Sequence, residues 1–185
     1  MQDVAYTDYI YWQETKSFIN GVASSNQNIE LFFDEKVDLD SSLVIYDGKQ
    51  VDLSQEHTYI DVQKEGVTQL VYILKDVDGY ALDQGEKSIL LDTTIPDVVV
   101  KVKDHNIKDV LPLENKETIH VEILKENIER VEVYLDDEKM DCEGNEFDLD
   151  VTNQNHTLSI LCRDVAGNEV ERKIDILPIV FLNAS

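Results

Sequence analysis

Asn28-Ile29-Glu30-Leu31-Phe32-Phe33 returns 90 residues further along the chain as Thr118-Ile119-His120-Val121-Glu122-Ile123. In both stretches every second side chain is apolar: Ile29, Leu31 and Phe33 in the first, Ile119, Val121 and Ile123 in the second. A period of two is that of a β-strand with one face buried. Working outward, Leu43 and Ile45 fall on Val133 and Leu135 at the same separation, as Asp47-Gly48-Lys49 does on Asp137-Glu138-Lys139. The separation slips to 89 where Thr58, Ile60 and Val62 meet Phe147, Leu149 and Val151. It is 88 where Leu70, Tyr72, Leu74, Asp76 and Gly79 meet Leu158, Ile160, Cys162, Asp164 and Gly167. Single-residue slips between matched strands are what changes in loop length produce, so the chain reads as one unit written twice.

Each copy closes with a short apolar strand and a proline, Ile89 to Leu91 before Pro96 and Ile174 to Leu177 before Pro178. Proline lacks the N–H that a central strand needs and marks a strand exit. The join is expected near Thr94 to Asp97, giving one domain over residues 1–95 and a second over 96–185. A copy of this length buries somewhat over ~60% of its extended surface, enough to fold without a disulfide.

A helix competes for part of the second copy, because Val121, Leu124, Ile128, Val131 and Leu135 recur by threes and fours. The matching positions of the first copy include Asp34, Asp38 and Ser41, which break that stripe. Strands account for both copies and a helix for one. Strands punctuated by Asp-Gly, Glu-Gly-Asn and Ala-Gly-Asn turns predict an all-β chain of two tandem sandwiches of antiparallel sheets.

Asp and Glu number 39 against 16 Lys and Arg, a formal net charge of −23. Such a field repels phosphate backbones and anionic headgroups, so neither nucleic acid nor an anionic membrane is an expected partner. No apolar run approaches the about 20 residues of a spanning helix. The N-terminal Met-Gln-Asp-Val-Ala-Tyr lacks a signal-peptide pattern, and the chain reads as a piece of a longer, exported protein.

His156-Thr157-Leu158-Ser159-Ile160-Leu161-Cys162-Arg163-Asp164-Val165-Ala166-Gly167-Asn168 resembles the penultimate strand and turn of bacterial immunoglobulin-like (Ig-like) domain repeats, with their Asp-x-Ala-Gly-Asn motif. In that turn Gly167 and Asn168 suit positive φ, and the Asp164 carboxylate accepts turn N–H groups. The first copy keeps Asp76 and Gly79 but has Tyr80 where Asn is usual. Its ending, Leu91-Asp92-Thr93-Thr94-Ile95-Pro96, resembles the join between such domains. The resemblance implies two Ig-like β-sandwich domains in a surface or secreted bacterial protein, serving as a spacer or as an adhesion segment for a protein or glycan. The other reading is an accessory, carbohydrate-binding part of an extracellular polysaccharide-degrading enzyme.

Residues with chemical potential are few. No nucleophile elbow, zinc-protease helix or phosphate-cradling loop occurs, and no enzyme activity is expected. His57, His105, His120 and His156 lack metal-ligand spacing and read as surface residues. Asp92 and Asp97 at the join, with Glu126, Asn127 and Asp164 from neighbouring loops, are candidate oxygen ligands for an interdomain Ca²⁺. The competing reading is turn and surface carboxylates; no other cofactor is expected. Cys162 takes the inward register, so a buried thiol is the first reading and a Cys142–Cys162 disulfide the second. Lys101 and Lys103 sit where Lys–Asn isopeptide cross-links start in some Gram-positive surface domains. Ile174-Asp175-Ile176-Leu177 offers no asparagine to complete one. Tyr6, Tyr9, Tyr11 and Trp12 either form a stacking platform for a sugar or divide between core and surface.

Overall fold

The computed structural model describes residues 9–13 and 15–180. The chain divides into two compact units, Met1–Thr94 and Ile95–Ser185. Among the described residues there are strands and turns but no helix, so none that could cross a membrane.

The first unit contains β1 (Ile10–Trp12), β2 (Lys16–Phe18), β3 (Gly21–Ser24), β4 (Asn28–Phe33), β5 (Leu43–Tyr46), β6 (Lys49–Gln50), β7 (Thr58–Asp61), β8 (Gly66–Lys75) and β9 (Ala81–Leu91). They form a three-stranded sheet in the order β1-β4-β7 and a six-stranded sheet in the order β2-β3-β9-β8-β5-β6. The second unit contains β10 (Val98–Val102), β11 (His105–Asn106), β12 (Val110–Leu113), β13 (Glu117–Ile123), β14 (Ile128–Leu135), β15 (Glu138–Met140), β16 (Glu146–Val151), β17 (His156–Asp164) and β18 (Glu169–Pro178). Their sheets run β11-β10-β13-β16 and β12-β18-β17-β14-β15. In each unit one parallel pair, β3 with β9 and β12 with β18, ties an early strand to the last one. Every other pair is antiparallel. Both units are Ig-like β-sandwiches.

Alternation along the strands closes a separate apolar interior in each unit. Ile29, Leu31, Ile60, Leu70, Leu74 and Ile89 are fully buried in the first. Ile119, Val121, Leu158, Ile160, Ile174 and Ile176 are fully buried in the second. Each such side chain contributes about 1.5–3 kcal/mol relative to exposure. The strand registers match between the copies: Ile29 faces Ile60 across β4 and β7, and Ile119 faces Leu149 across β13 and β16. The stretch in which a helix competed forms β13 and β14. The Lys125-Glu126-Asn127 segment between them turns at Asn127, whose φ of 56° ends any regular run.

One register differs from the sequence-based match. Val44 faces Tyr72 and Val133 faces Ile160, so Val44, rather than Leu43, is the counterpart of Val133. Val44 is buried and Leu43 and Ile45 are half-buried. The separation is therefore already 89 at this strand, because the chain from Ile123 to Val133 is one residue shorter than that from Phe33 to Val44. The turns that follow correspond at 89 as well: Asp47 and Gly48 (φ 46° and 75°) against Asp136 and Asp137 (φ 52° and 67°). Positive φ at both central residues makes each a type I′ turn, whose twist suits a two-residue hairpin. The similarity of Asp47-Gly48-Lys49 to Asp137-Glu138-Lys139 hides this shift.

Candidate functional site

The residues that alternate with the core face outward, and on β1, β4 and β7 several of them are aromatic. Tyr11 lies directly opposite Phe32, and Glu30 opposite Tyr59. Tyr11 is 45% exposed, Phe32 40% and Tyr59 53%, each a large ring left partly in water. His57 stands just before β7, with its ring stacked on that of Tyr59 at 5.8 Å between centroids and 15° between planes. Its Nδ1 lies 2.6 Å from Glu30 Oε1, which ties the imidazole to the neighbouring strand. Gln13 and Asn28 continue the same face toward its polar end; the Gln13 backbone N–H donates to the Glu30 carbonyl. Tyr9 and Trp12 instead pack against the core, and Tyr6 lies outside the described residues. Among the described residues, the expected aromatic row at the N-terminus thus supplies Tyr11 to this surface. Its other rings come from β4 and β7.

Three hollows lie along this unit, two of them lined in part by Tyr59. Gln13, Asn26, Asn28, Glu30 and Tyr59 line one of about 180 Å³. A shallower one of about 670 Å³ is lined by Asn26, Asn28 and Thr93 among others. The third, about 350 Å³, lies between Tyr46, Asp47, Asp52, Tyr59, Asp61 and Lys64. The Tyr46 hydroxyl is anchored 2.7 Å from Thr68 Oγ1, and burial pushes its pKa up.

The equivalent face of the second unit, on β10, β13 and β16, has a different chemistry. By register, Glu122 stands where Phe32 does and Asp148 where Tyr59 does; His120 and Lys101 replace Glu30 and Gln13. Lys101 Nζ contacts both oxygens of Glu122 at 2.9 Å. His120 Nδ1 lies 2.6 Å from Asp148, and Lys116 Nζ 2.9 Å from Asp150. The hydrogen bond to Asp148 raises the His120 pKa above its usual 6.5. The Lys101 bond lowers that of Glu122, and the Lys116 bond that of Asp150. This face satisfies itself with cross-strand ion pairs.

Of the proposed calcium ligands, Asp92 belongs to the first unit and Asp97, Glu126, Asn127 and Asp164 to the second. Among the described residues no group of three or more His, Cys, Asp or Glu is arranged to hold a metal ion. Asp164 is fully buried and committed: Oδ1 accepts from Ala166 N–H at 3.0 Å and Asn168 N–H at 2.9 Å, and Oδ2 from Asn168 Nδ2 at 2.9 Å. Lys125 Nζ completes an ion pair with Oδ2 at 2.8 Å, supplying the positive charge that a cation would have brought. Asp97, Glu126 and Asn127 are exposed, and Asp92 of the first unit accepts from Thr94. The Asp164 motif is a turn latch. Gly167 takes a φ of 93°, whereas Asn168 contributes hydrogen bonds rather than the positive φ expected of it. Asp76 repeats the latch in the first unit, accepting from Asp78 and Tyr80 N–H groups, and Gly79 has a φ of 83°.

Cys142 and Cys162 are free thiols, and burial raises the pKa of both. Lys101 and Lys103 pair with Glu122 and Glu117. His105 contacts the Lys103 carbonyl, and His156 lies between Asp136 and Thr152.

No family model and no curated protein sequence matches the chain. Among solved structures, the Clostridium thermocellum CbhA fibronectin(III)-like modules are similar, at 17% identity and TM-score 0.48, with 95% of this chain and 99% of that one covered. The titin Ig tandem domains A164-A165 align at 11% identity and TM-score 0.36, covering 85% of this chain and 91% of that one. The Bacteroides ovatus mixed-linkage glucan utilization locus protein SGBP-B, in complex with a mixed-linkage heptasaccharide, aligns at 12% identity and TM-score 0.30 over 91% of this chain and 47% of that one.

Proposed function

We propose that this chain is a non-catalytic tandem segment of a bacterial surface or secreted protein, in which the first domain presents a contact surface and the second serves as a spacer. The observation that carries this reading is the contrast between two equivalent sheet faces. One leaves Tyr11, Phe32 and Tyr59 exposed beside polar hollows; the other closes its outward groups into ion pairs. Large rings left partly in water are unfavourable, and a clustered set marks a place where another molecule settles. The Asp164-Val165-Ala166-Gly167-Asn168 turn, with its resemblance to bacterial Ig-like repeats, supports the extracellular setting. The charge of −23 argues against nucleic acid and anionic membranes as partners.

The test is retention of the labelled whole chain on a panel of immobilised extracellular proteins and glycans. A triple Tyr11→Ser, Phe32→Ser, Tyr59→Ser variant is expected to lose retention, and a His120→Ser, Glu122→Ser variant to keep it. Retention that ignores the rings would overturn the reading. The second reading, an accessory part of a polysaccharide-degrading enzyme, draws on the same aromatic face; a catalytic domain in the flanking reading frame selects it.

A further inference from the structure

Resting on that reading, we propose that the first domain binds a neutral polysaccharide as an extended chain laid over strand β7, with Tyr59 as its central stacking ring. The three hollows are not separate sites. Asn26 and Asn28 line both of the first two, and Tyr59 lines both the first and the third. They therefore form one trough that crosses from the Asn26–Asn28 end of the face, passes the Tyr59 ring and reaches Tyr46 and Asp52. A trough spanning several strands, spaced about 4.8 Å apart, is longer than one sugar ring and open along its length.

Its chemistry fits a polyol. Side-chain amides and carboxylates (Gln13, Asn28, Glu30 and Asp61) meet hydroxyl groups as donors and acceptors, while an exposed ring covers the apolar face of a pyranose. Aliphatic pockets of the kind that read alternate peptide side chains are scarce, since Val51 and Ile60 are the aliphatic residues along the groove beside Tyr46. Charge then selects among glycans. Glu30, Asp47, Asp52 and Asp61 line the trough against Lys49 and Lys64, within a chain of net charge −23. A polyuronate would meet like charge along its whole length, whereas a neutral chain meets acceptors for its hydroxyls. The tie between His57 and Glu30 and the stacking of His57 on Tyr59 hold the central ring in place, which reduces the entropy lost on binding.

Affinity electrophoresis of the whole chain in gels containing neutral β-glucan, mannan or xylan, or anionic polygalacturonate or alginate, tests this directly. Retardation by at least one neutral polymer and by neither anionic one is expected. Tyr59→Ala should weaken it roughly tenfold or more, as loss of an aromatic anchor does. Tyr59→Trp should retain it, and both variants should keep the wild-type Tm. Soluble fragments of the polymer that binds should compete better as hexasaccharide than as disaccharide. Retardation by the anionic polymers alone, or neutral binding indifferent to Tyr59→Ala, overturns the proposal. If no polysaccharide retards the chain while retention on the wider panel still depends on Tyr11, Phe32 and Tyr59, the polysaccharide inference fails and the contact-surface reading stands. Should nothing depend on those rings, both fail.

Discussion

The sheet of β1, β4 and β7 and the sheet portion of β10, β13 and β16 have one register and two surfaces. Inward, Ile29, Leu31 and Ile60 correspond to Ile119, Val121 and Leu149, and all are buried. Outward, Phe32 and Tyr59 correspond to Glu122 and Asp148. The pleat that sends alternate side chains to opposite faces thus separates two kinds of constraint. Close packing fixes one set, and changes in the other leave the fold intact. A module can then be duplicated and one copy given a new surface without disturbing its interior.

The largest expected effects test whether the two copies stand as separate cores. Lys125 and Asp164 form a nearly enclosed ion pair, with side chains 10% and 0% exposed. Removing one partner, by Lys125→Met or Asp164→Ala, should cost the second domain about 3–5 kcal/mol. Trp12 is the single tryptophan and packs against the first core, so its fluorescence follows the first domain alone. In urea, circular dichroism should show an early transition in these variants while the Trp12 midpoint stays in place. A Trp12 midpoint that moves with it would break the comparison. Gly21→Ala is the converse. A Cβ there would lie 1.8 Å from the Ser88 carbonyl oxygen, where β3 runs beside β9. The strand must shift, at about 1–3 kcal/mol, and the Trp12 midpoint should fall by that amount while the second transition holds.

Much of this was legible from the alternation itself. Period two gave the strands, repetition gave the pairing of Ile29 with Ile119, and Asp164 with Gly167 announced the hairpin. The register of β5 was not legible, because Leu43, Val44, Ile45 and Tyr46 are all apolar or aromatic and a run of this kind does not say which face is inward. The contact surface was missed for another reason. Attention falls on rings adjacent in sequence, Tyr6 to Trp12, whereas the sheet assembles Tyr11, Phe32 and Tyr59 from three strands. Comparing the outward positions of the two copies would have exposed it, since Phe32 against Glu122 and Tyr59 against Asp148 are the strongest mismatches there. The sequence gives no sign that Lys125, close to Asp164 in space, already balances the charge of that candidate ligand.

The β5 register sharpens the match between copies. Val44→Ala should cost about 2 kcal/mol, the loss of two buried methyl groups with the cavity they leave, and Leu43→Ala distinctly less. The opposite order in urea midpoints would restore Leu43 as the counterpart of Val133.

The smallest effect concerns the ion-paired face. The His120 pKa is raised in the folded protein, so its contribution to stability is complete below 6.5 and fades as pH rises through the raised value. Glu122 and Asp150, with lowered values, contribute above 4.5 and 3.8 respectively and lose that contribution as pH falls through their folded values. The groups are exposed and salt screens them, so both declines should be slight and flattened at high ionic strength, and the one on raising the pH should be absent in His120→Gln. It should register in the second domain's midpoint and leave that of Trp12 unchanged.

The most direct measurement is amide chemical-shift mapping of the whole chain as the neutral polysaccharide fragment is added. The account predicts shifts at Tyr11, Glu30, Phe32 and Tyr59, with Lys101, His120, Glu122 and Asp148 unmoved. Shifts centred on the second set, or spread equally over both faces, would contradict it.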